Sequence, residues 1–359
     1  MNVKLKYCIL ASAITVLAFL VTRFIRYDFT NLPAFSSADK TVDFEFSDLY
    51  ASVADSRPVT HLSKDVCVVG IDGLDRNGIA DVIRAVDFLG AKTIGLDLFF
   101  LWPDAGGEAI EGVLRELGDK VVLPRDIHGT ASYFYGSLPN PRFGTINLVA
   151  SSAHQVVRRY RPTGSMASVL AESSGPVLEG EATLVPFHSV VIDTLSAGSV
   201  IDKDGLPLME AEALISDRIV LIGTLHDPGD CHLTPVDAEM PGVLIHAIMA
   251  DSFLSGRTIK EAGKNLMTVI AIIYAWFFAL LLLIAKYNWD NAGNLAIRIF
   301  QIVGIIIMFR IGCHYYMADQ LYIDFSEAIL MTVFASLAFD VTYGIYALVH
   351  KKAKLCKKS

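Results

Sequence analysis

Four acidic residues are the first candidates for chemistry. Asp72 closes the apolar run 65–72 (DVCVVGID), Asp97 lies within 93–100 (TIGLDLFF), and Asp227 and Asp230 follow 219–224 (IVLIGT). If these runs are parallel neighbours, their carboxylates converge where an open α/β sheet takes its ligands. Oxygen ligands grouped in this way suit Mg2+ or Ca2+, with Asp72, Asp97 and Asp230 as the metal candidates. No other cofactor is expected. The competing expectation is structural, because Asp often caps turns and helix starts. With Thr234 and His246 beside the same loop, the candidate ligand-binding set is Asp72, Asp97, Asp227, Asp230, Thr234 and His246.

Other chemistries find less support. His226 and His232 stand six apart on a loop, and neither an H-E-x-x-H nor a paired-Cys spacing is present, so zinc is disfavoured. The chain has no G-x-S-x-G and no glycine-rich phosphate loop. Gly70-Ile71-Asp72-Gly73 lacks the third glycine of a dinucleotide fingerprint. Arg158, Arg159 and Arg161 offer forks for an anion, but a solvated hairpin edge explains them as well. Five cysteines make no disulfide framework. Cys67 and Cys231 are expected about 16 Å apart along the strands, too far for a bridge. The chain is therefore not expected to be an enzyme. The catalytic alternative is a divalent-cation-dependent hydrolase on Asp72, Asp97 and Asp230.

The elements that would place these residues follow from periodicity. Ile219 to Ile222 is a short apolar run suited to a strand covered on both faces. Gly223 stops it and admits a close neighbour. Pro241 suits the first turn of a helix. Residues 65–72 and 93–100 are strands, and between them 78–89 has helical spacing through Ile79, Val82, Ile83, Val86 and Leu89. Residues 108–117 predict a helix and 120–123 a strand. Residues 143–149 and 156–161 predict an antiparallel hairpin with its turn at 150–155. Residues 166–172 and 189–197 predict helices, and 44–50 a short helix. The expected class is α/β, mainly a parallel sheet with flanking helices and an inserted hairpin.

Mean hydropathy of +0.46 exceeds that of ordinary soluble proteins. The excess lies in 7–22, 266–285, 297–316 and 325–349, which predict one N-terminal and three C-terminal membrane helices. No small-x-small cleavage site follows the first, so it reads as an uncleaved anchor. Lys4 and Lys6 before it, and Lys351, Lys352, Lys354, Lys357 and Lys358 after the last, put both termini in the cytoplasm. Arg23, Arg26, Lys260 and Lys264 argue weakly against this. The expected organisation is 1–26 anchor, 27–64 linker, 65–263 outer domain, 264–350 three helices and 351–359 a basic tail. Arg310 and Asp340 sit inside the last two helices, at depths of roughly 16 and 13 Å by helical rise. They are expected to pair there, because unpaired charge in lipid is costly. A net charge of −8 with no basic face excludes nucleic acid as a partner.

Three blocks resemble the second type of the CHASE family, the cyclase/histidine-kinase-associated sensory extracellular domains. The first is Val68-Val69-Gly70-Ile71-Asp72. The second runs from Leu89-Gly90-Ala91-Lys92-Thr93-Ile94-Gly95-Leu96-Asp97 to Phe99 and Phe100. The third is Arg218-Ile219-Val220-Leu221-Ile222-Gly223, then Asp230, Thr234-Pro235, Pro241-Gly242 and Ile245-His246-Ala247. The resemblance covers about 43–257 and extends to the layout of one leading and three trailing membrane helices. It implies a bacterial sensor outside the membrane that regulates a cytoplasmic kinase or nucleotide cyclase. The sequence stops nine residues after His350, so the output is expected from a separate cytoplasmic protein. The expected partners are a small ligand or an outer protein, that cytoplasmic protein and the lipid bilayer; a homodimer is compatible with these. A structural or assembly role is the remaining alternative.

Overall fold

The computed structural model describes residues 3–31, 45–58, 61–129, 132–150, 156–172 and 180–356. Much of the expected linker (32–44), the hairpin turn at 151–155, and Lys357 and Lys358 lie outside the described residues. Two compact units are present, Met1–Tyr50 with Glu261–Ser359, and Ala51–Lys260. In chain order the elements are α1 (Val3–Asn31), α2 (Phe46–Asp55), β1 (Leu62–Gly70), α3 (Arg76–Phe88), β2 (Thr93–Leu96), α4 (Gly107–Leu117), β3 (Val121–Arg125), β4 (Arg142–Thr145), β5 (Val149–Ala150) and β6 (Val157–Tyr160). They continue as α5 (Met166–Glu172), β7 (Thr183–Leu184), β8 (Val191–Ser196), α6 (Glu212–Ile215), β9 (Ile219–Gly223), β10 (Cys231–His232), β11 (Met240–Pro241), α7 (Gly242–Ser255), α8 (Lys264–Ala318) and α9 (Ser326–Cys356).

The unit Ala51–Lys260 is built on a parallel sheet of order β4-β3-β2-β9-β1-β8. Alternation along the strands divides its apolar residues between two cores. Cys67, Val69, Val220 and Ile222 pack with α3 and α4 through Ile79, Val82, Ile83, Ile110 and Val113. Val66, Val68, Ile219 and Leu221 pack with α5 and α7 through Leu170, Val243 and Met249. β9 is buried at every position, as expected of a strand with helices on both sides. Asp75 caps α3 by accepting from the Gly78 N–H at 2.8 Å. The chain leaves β1 and β2 for α3 and α4 on one face, and leaves β9 for α7 on the other. β9 lies between β1 and β2, so its loop leaves toward the opposite face from both neighbours, which is where an open α/β sheet is expected to take its ligands.

Three expectations need correction here. Residues 191–196 form the parallel edge strand β8, not a helix. Val190, Val191, Ile192 and Thr194 are β-branched, and pairing with β1 fixes the extended form. Arg142–Thr145 joins the main sheet beside β3, and the hairpin partner of β6 is the short β5, with β7 on the other side. Arg158 is 3% exposed, so β6 is covered and is not a solvated edge.

The other unit carries four stretches long and apolar enough to cross a membrane: Tyr7–Phe24, Lys264–Lys286, Leu295–Ala318 and Ser326–Tyr343. Helical geometry runs through all of Lys264–Ala318, yet a Cβ at Gly304 would lie 2.5 Å from the Tyr274 hydroxyl. A straight helix would separate those residues by about 45 Å, so the chain turns back between the two stretches. The four stretches and the distribution of basic residues define a multi-pass membrane protein with cytoplasmic termini and Ala51–Lys260 outside. Asp340 pairs with Arg298, not with Arg310, which is exposed. The helical segment extends past the end assumed from hydropathy, and this puts Arg298 at the level of Asp340. At the opposite end Arg23 meets the buried Glu327 at 3.0 Å, and Thr268 donates to Glu327 at 2.8 Å, tying α1, α8 and α9 together. Arg298→Ala is expected to lower the melting temperature of the detergent-solubilised chain more than Arg310→Ala. Equal effects would place the Asp340 partner elsewhere.

Candidate functional site

Asp72, two residues beyond β1, accepts from the backbone N–H groups of Leu225 at 3.1 Å and His226 at 2.9 Å. The His226 ring lies 3.3 Å away and is largely exposed. Burial alone would raise the pKa of this carboxyl, but the donors of His226 and Leu225 outweigh it and hold the pKa below the usual carboxylate value. Asp72 therefore fixes the loop that follows β9. Asp227 accepts from the Gly229 N–H at 2.9 Å and caps the turn at Pro228–Asp230. The Thr234 hydroxyl is occupied within its own turn, donating to the Asp237 carbonyl at 2.8 Å and accepting from the Asp237 N–H at 2.9 Å.

The inner group is different. Asp97 follows β2, and its backbone N–H donates to the Ile222 carbonyl at 2.8 Å, which locks it against β9. Its side chain is 5% exposed, and the imidazole Nε2 of His246 stands 4.0 Å from its Oδ2, beyond hydrogen-bond length. Burial, and then the charge of Asp230, push the Asp97 pKa up to about 8, so the carboxyl is neutral at pH 7. His246, on the first turns of α7, is pushed down to about 4, chiefly by burial and further by His232. The Asp230 charge and a hydrogen bond to the Ile146 backbone act the other way. Its Nδ1 lies 2.6 Å from the Tyr160 hydroxyl, which accepts from the Ala167 N–H at 3.3 Å. That order points the tyrosine proton at Nδ1 and leaves the imidazole proton on Nε2. Tyr135, in the core shared with α3 and α4, feels the Asp97 charge, and its hydroxyl donates to the Leu98 carbonyl at 2.9 Å. Asp230 is nearer solvent, 3.4 Å from the Thr224 hydroxyl and 3.7 Å from His232 Nε2.

Two glycines make this closeness possible. A Cβ at Gly223 would meet Val243 at 2.9 Å and Asp97 Cβ at 3.4 Å, and one at Gly242 would meet Asp230 Oδ1 at 2.9 Å. The sequence-predicted residues thus fall at one edge but in two groups, Asp72 with the His226 loop and Asp97 with Asp230 and His246. Asp227 and Thr234 hold the loop between them. Among the described residues no three His, Cys, Asp or Glu side chains are grouped to hold a metal ion. The opposite, N-terminal edge has a cavity of about 220 Å3 lined by Asp65, Lys92, Asp217, Ile219 and Leu254, but it gathers no buried ionisable group. Neither Tyr160 nor Tyr135 carries a functional signal in the sequence. Tyr160 reads as one more apolar residue of its strand, and its partner is 86 positions away. Tyr160→Phe removes a donor to a buried nitrogen and is expected to cost about 2 kcal/mol, measured by denaturant unfolding of the solubilised chain. An unchanged midpoint would show that this bond is not formed.

The parallel sheet, its acidic C-terminal edge and the flanking membrane helices define a membrane-anchored α/β sensor domain. Residues 15–286 match the CHASE2 domain family, well over half of the chain, and the protein belongs to that family, whose domain is sensory and not catalytic. No curated protein and no solved structure matches the chain.

Proposed function

We propose that the outer domain binds a small ligand in the crevice around Asp97, Asp230 and His246, and that binding changes the arrangement of α1, α8 and α9 for a separate cytoplasmic protein to read. The observation that carries this reading is Asp97. A carboxyl that is buried without a hydrogen-bonding partner costs stability, and it sits where the strand order opens a crevice. Such a group is a functional candidate with a physical reason behind it. Asp72, Asp227 and Thr234 support the site by fixing the β9 loop. A ligand shifts the bundle only by its difference in affinity for two bundle arrangements.

A thermal-shift screen of the full chain in detergent against a metabolite library tests the site. A true ligand raises the melting temperature, and the rise is lost in Asp230→Asn and Asp97→Asn. A rise that persists in both variants puts the binding site elsewhere.

A further inference from the structure

The loop from β9 to α7 is acidic and carries no fixed positive charge. Between Ile219 and Gly256 there is no Lys or Arg, while Asp227, Asp230, Asp237 and Glu239 fall within the loop. The Cys231 thiol registers this imbalance. Its pKa is pushed up first by burial and then by Glu239, Asp230, Asp227 and Asp237 in turn. Behind the loop lies Asp97, 5% exposed, close enough to Asp230 to feel its charge and, among the described residues, with no donor inside hydrogen-bond length. An acidic loop alone is ordinary solvated surface. A buried acid directly behind it that accepts from no donor among the described residues is a place where a cationic donor fits.

We propose that this edge binds a small organic amine in its ammonium form, held between Asp97 and Asp230. The proposal rests on the sensing role assigned above to the same edge. An ammonium group has three donors and no acceptor. The acceptors here are the carboxylates of Asp97 and Asp230 and the nitrogen of His232, 3.7 Å from Asp230 Oδ1. Two carboxylates and one imidazole suit three N–H donors. A divalent metal prefers a larger oxygen set, and no such grouping is present among the described residues.

The exchange balances in charge. The incoming ammonium replaces the Asp97 proton, which leaves to solvent, and no covalent bond changes. Binding therefore tightens as pH rises toward the range where Asp97 ionises unaided. The titratable groups that act on Asp97 or feel its charge are Asp230 from the β9–α7 loop, His246 from α7, Tyr160 from β6, and Tyr135, with His232 one step further out beside Asp230. His246 and the two tyrosines stay neutral across pH 6 to 8, because burial lowers the first and raises the others.

Calorimetry of the full chain in detergent, with putrescine, ethanolamine, methylammonium and lysine as probes and CaCl2 and ZnCl2 as controls, tests the proposal. The expected result is saturable one-to-one binding of at least one amine, tightening about tenfold per pH unit from 6 to 8 with proton release. Asp97→Asn weakens binding at least tenfold and removes its pH dependence, and Asp230→Asn weakens binding at least tenfold, while the circular dichroism of both matches the parent. The proposal is overturned if no amine binds, if only a metal ion binds, or if both variants bind as the parent does. Amine binding that leaves hydrogen exchange in α8 and α9 unchanged removes the sensor reading and keeps the site. Exchange that changes with a neutral ligand, with no amine bound, keeps the sensor and removes the amine.

Discussion

Asp97→Asn is expected to make the outer domain more stable, and the gain to grow with pH. The Asp97 pKa is about 8 in the folded protein, against roughly 3.9 in an unfolded chain. Between those values the folded state holds a proton that the unfolded state has released, so stability falls as pH rises and levels off above pH 8. His246 acts in the opposite sense. Its folded value of about 4 lies below the unfolded value of about 6.5, so its contribution rises with pH from 4 to 6.5 and the two slopes offset one another there. His188, also pushed down to about 4 by burial, adds to that rise; from pH 6.5 to 8 both imidazoles are largely neutral folded or unfolded, and the Asp97 slope is left. In that window the parent should lose about 2 kcal/mol at 1.36 kcal/mol per unit. The Asn variant should stay level and be more stable at pH 8 by on the order of 3–5 kcal/mol. Urea or thermal unfolding of the solubilised chain at pH 6.5 and 8 measures this directly. A variant less stable than the parent at pH 8 would mean that Asp97 is ionised and paired.

Gly144→Val should have an effect of similar size in the other direction. Gly144 lies in β4, where α5 begins, and a Cβ there would stand 2.5 Å from Met166 Cα and 2.8 Å from Met166 N. Those are backbone atoms, and no rotamer change moves them aside. Either β4 separates from β3 or α5 shifts away from Leu170's position against the sheet. Overpacking of this kind costs about 3 kcal/mol or more, and it acts on the face that carries His246 and Tyr160. A midpoint in urea unchanged from the parent would show that the strand and helix are not held at this distance.

The same glycine shows why parts of the fold were hidden in the sequence. β1, β2, α3 and β9 were legible because their apolar spacing is local and their ends carry Gly or Asp. The convergence of Asp72, Asp97 and Asp230 followed from placing those strands side by side. The sequence of β4 reads as half of a hairpin, because Phe143-Gly144-Thr145 suits any strand and only contact with Met166, a neighbour in space, commits it to the main sheet. β8 reads as a helix in sequence because an edge strand beside β1 has a mixed pattern, and its partner lies more than a hundred residues earlier. The separation of the acids into two groups was not visible either. It depends on Asp72 accepting from Leu225 and His226, which turns it into a loop anchor and leaves Asp97 as the unpartnered group. In the membrane unit hydropathy was enough to find the spans. It did not fix helix ends, and so Arg298 was overlooked as the partner of Asp340.

The claim on which the rest depends is that Asp97 is a dry, neutral carboxyl at the open edge of the sheet. Infrared difference spectroscopy of the full chain, parent minus Asp97→Asn, isolates the carbonyl stretch of that one protonated acid. The account predicts a band that is present at pH 6.5 and disappears with a midpoint near 8. No band at pH 6.5, or one that vanishes near pH 4, would mean an ordinary solvated carboxylate, and neither the ligand crevice nor the ammonium site would stand.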